Sequence, residues 1–65
     1  MDFSRANLQG AIFDKAYANG TIFVDALLDD SSFKNAELEL ANFKNASVKN
    51  ATFDGAYLIH AVLSE

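Results

Sequence analysis

Residues 31–55 read SSFKN, AELEL, ANFKN, ASVKN, ATFDG, five consecutive units of five that each open on Ala or Ser and carry Phe, Leu or Val at the centre. The phase extends in both directions without an insertion, so that all 65 residues divide into thirteen fives beginning at Met1. The first column is Ala except at Met1, Thr21 and Ser31. All six Phe fall in the third column, at positions 3, 13, 23, 33, 43 and 53, with Leu, Val or Ala between them.

A period of five suits neither regular element. On an α-helix at 3.6 residues per turn, the large residues would be smeared around the cylinder. On a continuous strand, an odd period would move each large residue to the opposite face of its predecessor. The chain must therefore turn once per unit. Residues one and three then face inward, residue two faces outward, and residues four and five form the corner. The fifth column holds Gly10, Gly20, Gly55, Asn35, Asn45, Asn50, Asp25 and Asp30. These residue types tolerate the positive φ that the third position of a type II turn demands.

The strict alternation of Phe with a smaller residue sets the number of sides. Three sides would mix Phe and Leu in every vertical stack, whereas an even number keeps them apart, and four is the smallest that encloses a lumen. One coil is then twenty residues, and the chain makes about 3.25 coils of an all-β, four-sided parallel β-helix. Phe3, Phe23 and Phe43 form one ladder, ending in Leu63, and Phe13, Phe33 and Phe53 form the opposite one. Leu8, Leu28 and Val48 line the third stack, and Ala18, Leu38 and Leu58 the fourth. Rungs about 4.8 Å apart allow successive rings to stack.

This pattern resembles the pentapeptide-repeat family, whose consensus is Ala, then Asp or Asn, then Leu or Phe, then two variable residues. The resemblance covers residues 1–65 as a single domain and implies a right-handed coil. At the second position only Asp2, Asn7 and Asn42 match the consensus, a departure expected to affect the surface rather than the fold. For function the resemblance implies little, although members with this fold include DNA mimics that protect gyrase.

Composition narrows the function classes further. There is no Cys, hence no disulfide framework or thiolate metal site. The net charge of −4 disfavours direct binding of nucleic acid through a basic patch. No apolar run approaches the length of a membrane span and no basic-then-apolar leader opens the chain, so a cytoplasmic location without membrane insertion is expected. His60 is the only imidazole and lies at a corner, with Ser64 and Glu65 on the following side; no catalytic residue, and no enzymatic activity, is expected. Asp25, Asp29 and Asp30 do not converge as a Ca²⁺ shell would, so neither a metal site nor a cofactor is expected. The three Asn-x-Ser/Thr sequences, at Asn19, Asn45 and Asn50, arise from the repeat itself.

Two surface features remain. Residues 1–20 and 41–65 are charge-balanced, and the middle coil holds the whole excess through Asp25, Asp29, Asp30, Glu37 and Glu39 against Lys34. A belt around one coil is not the axial stripe that imitates a duplex, so mimicry is the alternative reading. The preferred one is a non-catalytic interaction or scaffold module docked on a larger complex. Its expected partner surface is Tyr17, Leu40, Tyr57 and Ile59, apolar residues gathered in outward slots of one side. The ends carry no capping element, so end-to-end self-association through residues 1–20 or 46–65 is also expected.

Overall fold

The computed structural model describes residues 1–63. The chain forms a β-solenoid in which the second residue of each unit pairs in parallel with the residue twenty positions later: Asp2 with Ile22, Asn7 with Leu27, Ile12 with Ser32, Tyr17 with Glu37, and so on to Asn42 with Val62. Between successive pairing residues the fourth and fifth residues make a turn. Four turns in a twenty-residue circuit give four walls. The first comprises residues 1–5, 21–25, 41–45 and 61–63, and the second 6–10, 26–30 and 46–50. The third comprises 11–15, 31–35 and 51–55, and the fourth 16–20, 36–40 and 56–60.

Each corner is closed by a bond from the first amide of the next unit to the third carbonyl of the unit before, as from Ala26 to Phe23 at 3.0 Å and from Ala41 to Leu38 at 3.1 Å. The fifth residue carries positive φ in every described unit. This includes residues that do not favour it: Arg5, Lys15, Leu40 and His60 all lie between 60° and 63°. Positive φ at the third of four turn residues is the type II arrangement. The corner geometry is thus imposed by the coil and overrides local preference where the two disagree.

Inside, the first and third columns make the core. Phe23, Ala26, Leu28, Phe33, Ala36, Leu38, Ala41 and Phe43 are buried, as are Thr21 and Ser31. Phe3, Leu8, Phe13, Ala18, Phe53 and Leu58 pack against this core but are only partly buried, because a rung covers them on one side alone. Val48 and Leu63, inward by phase, are 40% and 57% exposed for the same reason. Both Phe ladders stack face to face, from 4.8 Å and 6° for Phe13–Phe33 to 5.7 Å and 20° for Phe3–Phe23. The lumen is also narrow enough for the two ladders to meet. Phe23–Phe33 and Phe33–Phe43 are edge-to-face at 5.7 and 5.8 Å, an arrangement that sets the positive edge of one ring against the negative face of the other.

The second column does more than decorate the surface, contrary to the expectation from sequence. Between coils, the backbone pairs the second, third and fifth amides of a unit but leaves the fourth without a backbone acceptor among the described residues. Side chains supply the partner in two ways. An Asp or Asn at the second position accepts from the fourth amide of its own unit, as Asp2 does from Ser4 at 2.9 Å, Asn7 from Gln9 and Asn42 from Lys44. In three units whose second residue is not Asp or Asn, those beginning at Ser31, Ala36 and Ala46, a carboxylate or amide at the fourth position of the preceding coil takes its place. Asp14 accepts from the Lys34 amide, Asn19 from Glu39 and Asp29 from Lys49, at 3.1, 2.9 and 3.0 Å.

Candidate functional site

The partner surface expected from the sequence falls on the fourth wall, and the structure brings those four residues to the solvent side of it. Tyr17 is 85% exposed, Leu40 65%, Tyr57 59% and Ile59 57%. Parallel pairing puts Tyr17, Glu37 and Tyr57 in one outward column, Tyr17 joined to Glu37 and Glu37 to Tyr57. Ile59 follows Tyr57 by two residues at the fourth position, and Leu40 lies at the corner, its amide bonded to the Ile59 carbonyl at 3.0 Å. The wall is therefore not continuously apolar. Glu37 interrupts the tyrosine column, half buried, with one carboxylate oxygen 3.3 Å from the Asn19 side-chain amide. From sequence Glu37 counted only toward the acidic excess and not as part of this column. The signal for it was the twenty-residue period, which stacks residue 37 between residues 17 and 57.

The acidic middle coil also looks different once side chains are in place. Asp29, counted from sequence in the acidic excess of the middle coil, is half buried and accepts from the Ser47 hydroxyl at 2.6 Å as well as from the Lys49 amide. The Ser47 hydroxyl foremost, then the Lys49 amide, holds this carboxyl below its ordinary value. Asp2 is lowered likewise, by the hydroxyl and then the amide of Ser4. Asp14 repeats the arrangement with Ser32 and Lys34. Asp14 and Asp29 thus tie one coil to the next, each through one carboxylate oxygen. Among the described residues no group of three or more His, Asp or Glu side chains is arranged to hold a metal ion. His60 is an exposed corner residue at φ 60°; Ser64 and Glu65, considered with it above, lie outside the described residues.

A regular solenoid with a five-residue phase is a family signature, and the family model for pentapeptide repeats (8 copies) matches residues 2–39, 21–58 and 36–65 in overlapping windows. The chain belongs to the pentapeptide-repeat family. No curated protein matches it significantly. The chemistry of its surface must therefore be read from its own residues. Among these repeats the fourth wall is the one without Lys or Arg: Arg5 and Lys44 lie on the first wall, Lys49 on the second, and Lys15 and Lys34 on the third. No helix among the described residues is long and apolar enough to cross a membrane.

Proposed function

We propose that this pentapeptide-repeat protein is a non-catalytic interaction module, a right-handed coil of thirteen repeats and about 3.25 turns that docks through its fourth wall on a protein of a larger complex. One observation carries the reading: Tyr17, Leu40, Tyr57 and Ile59, four large apolar side chains more than half exposed, share one wall of a small solenoid. A wall held by inter-coil hydrogen bonds keeps its outward side chains at fixed spacing, so little ordering cost opposes docking. Tyrosine buried at the centre of such an interface contributes about 2 kcal/mol or more.

The test is partner capture by cross-linking in the native host. A Tyr57→Ser/Ile59→Ser double variant should keep its circular-dichroism spectrum and lose capture. Leu27→Ser, on the opposite wall, should keep both. Capture that survives the double change with folding intact refutes the assignment. The acidic middle coil supports a second reading, mimicry of nucleic acid toward a DNA-binding enzyme. It requires steep salt dependence and loss of binding on changing Asp30, whose carboxylate is not among those that tie the coils together. The exposed inward residues Val48 and Leu63 further support end-to-end self-association of the 65-residue polypeptide, for which sedimentation should show mass rising with concentration in the micromolar range.

A further inference from the structure

We infer that the fourth wall recognises a cationic side chain, an arginine in an extended segment of the partner protein, seated over Glu37 between Tyr17 and Tyr57. The inference rests on the docking reading above and adds the chemistry of the partner. Three observations carry it together. Parallel pairing fixes Tyr17, Glu37 and Tyr57 in one column. Both tyrosines stand out into solvent, and Glu37, on the rung between them, is half buried, with one carboxylate oxygen accepting from the Asn19 side-chain amide. This wall has two carboxylates, Glu37 and Glu39, and no Lys or Arg; its one imidazole, His60, is at the far corner, and Lys15 belongs to the corner that precedes it.

The dimensions suit a guanidinium. Two rungs separate the tyrosines, about 9.6 Å at the spacing of paired strands. A cation midway is about 4.8 Å along the coil axis from either rung, a spacing that lets a tyrosine ring on each rung turn its face to within the roughly 6 Å at which it attracts a positive charge. The carboxylate below it supplies a charge-assisted acceptor, and arginine, being planar and weakly hydrated, can stack on a ring while it donates at its edge. Leu40 and Ile59 lie along the same wall toward the next corner. An apolar residue beside the arginine in the partner segment would cover them, with Glu39 at the rim. An apolar partner alone would leave Glu37 desolvated without a counter-charge, which disfavours it.

The experiment titrates the isotopically labelled full chain with two synthetic peptides, Gly-Leu-Arg-Leu-Gly and the same peptide with citrulline, the neutral isostere, in place of arginine. Backbone amide shifts report where each binds. The arginine peptide should move the resonances of residues 17, 37, 40, 57 and 59, and the citrulline peptide should bind at least about fivefold more weakly. Glu37→Gln should remove most of that difference while leaving the spectrum otherwise native. Tyr17→Leu and Tyr57→Leu, which keep apolar bulk, should each lower affinity for the arginine peptide about two- to fivefold.

Equal binding of the two peptides to this wall would overturn the arginine assignment and leave the docking reading standing. Shifts clustered at Asp25 and Asp30 instead would also overturn it, because charge alone would then direct the peptide. So would silence of the wall toward both peptides, in which case the docking reading stands or falls on the Tyr57→Ser/Ile59→Ser capture result.

Discussion

Phe33 is the ring on which the lumen converges, and Phe33→Ala should come close to unfolding the chain. It is fully buried, stacked on Phe13 at 4.8 Å and on Phe53 at 5.1 Å, and set edge-to-face against Phe23 and Phe43. Truncating a buried Phe costs about 3–5 kcal/mol when the surroundings relax only in part. Relaxation is limited here, because the rungs on either side are fixed by inter-coil bonds from Phe33 to Thr52 and from Phe13 to Ser32. At 0.05–0.15 kcal/mol per residue, a chain of this length has roughly 3–10 kcal/mol of stability to lose. Phe3→Ala is the internal control. Phe3 is only partly buried, has one stacked neighbour at 5.7 Å and one edge contact at 6.3 Å, and should lose well under half as much. Lys34→Ala, beside Phe33 but outward, should cost little. Urea denaturation followed by circular dichroism measures all three. Equal losses at positions 33 and 34 would refute the inward and outward assignment, and equal losses at 33 and 3 would refute the claim that the middle coil carries the core.

Ser31→Ala should stabilise by about 1 kcal/mol, visible as a higher thermal midpoint, since the Ser31 hydroxyl is buried without a hydrogen-bond partner where most units have Ala. Leu40→Gly should stabilise the isolated chain by about 1 kcal/mol, because Leu40 holds φ 62° with a side chain that disfavours it. Gly55→Ala should do the reverse, since Gly55 has φ 71° and an added Cβ would meet the Asn35 side-chain oxygen. On acidification, the contributions of Asp2 and Asp29 follow from carboxyls held below their ordinary 3.8 in the folded state. They are present above that value and lost as pH falls through the lower folded values, so unfolding midpoints should drop below about pH 4. Ser47→Ala should reduce that acid sensitivity, and an unchanged acid profile would mean that the Ser47–Asp29 bond does not form in solution.

Much of the fold was legible because its period is five and nothing interrupts the phase. Ala26, Phe33 and Asn35 each announce their place in the unit, and the alternation of Phe13 with Ala18 and Phe23 announces the twenty-residue circuit. What the sequence hid depends on that circuit being closed in space. The bond from Lys49 to Asp29 joins residues twenty apart in columns that read as variable surface, and Asp29 looked like one more solvated acid. The edge-to-face contacts between ladders depend on the width of the lumen, which no column states. The fourth wall was partly legible. Its tyrosines were found as exposed aromatics, whereas Glu37 was counted only as charge and not as the residue between them.

The inter-coil bonds of this molecule join residues a constant 18 to 21 positions apart, and that constancy sets which length changes the gene can tolerate. An insertion or loss of one residue would throw every later unit out of phase with its turns. A change of five would preserve the turns but set Phe rungs over Leu rungs. A change of ten would keep both ladders pure while carrying every later residue to the opposite wall, separating Tyr57 from Tyr17. Only a change of twenty leaves the core, the ties at the fourth amide and the tyrosine column all in register. Lengthening by duplication of one whole circuit is thus the route by which such a chain can grow and still present the same face.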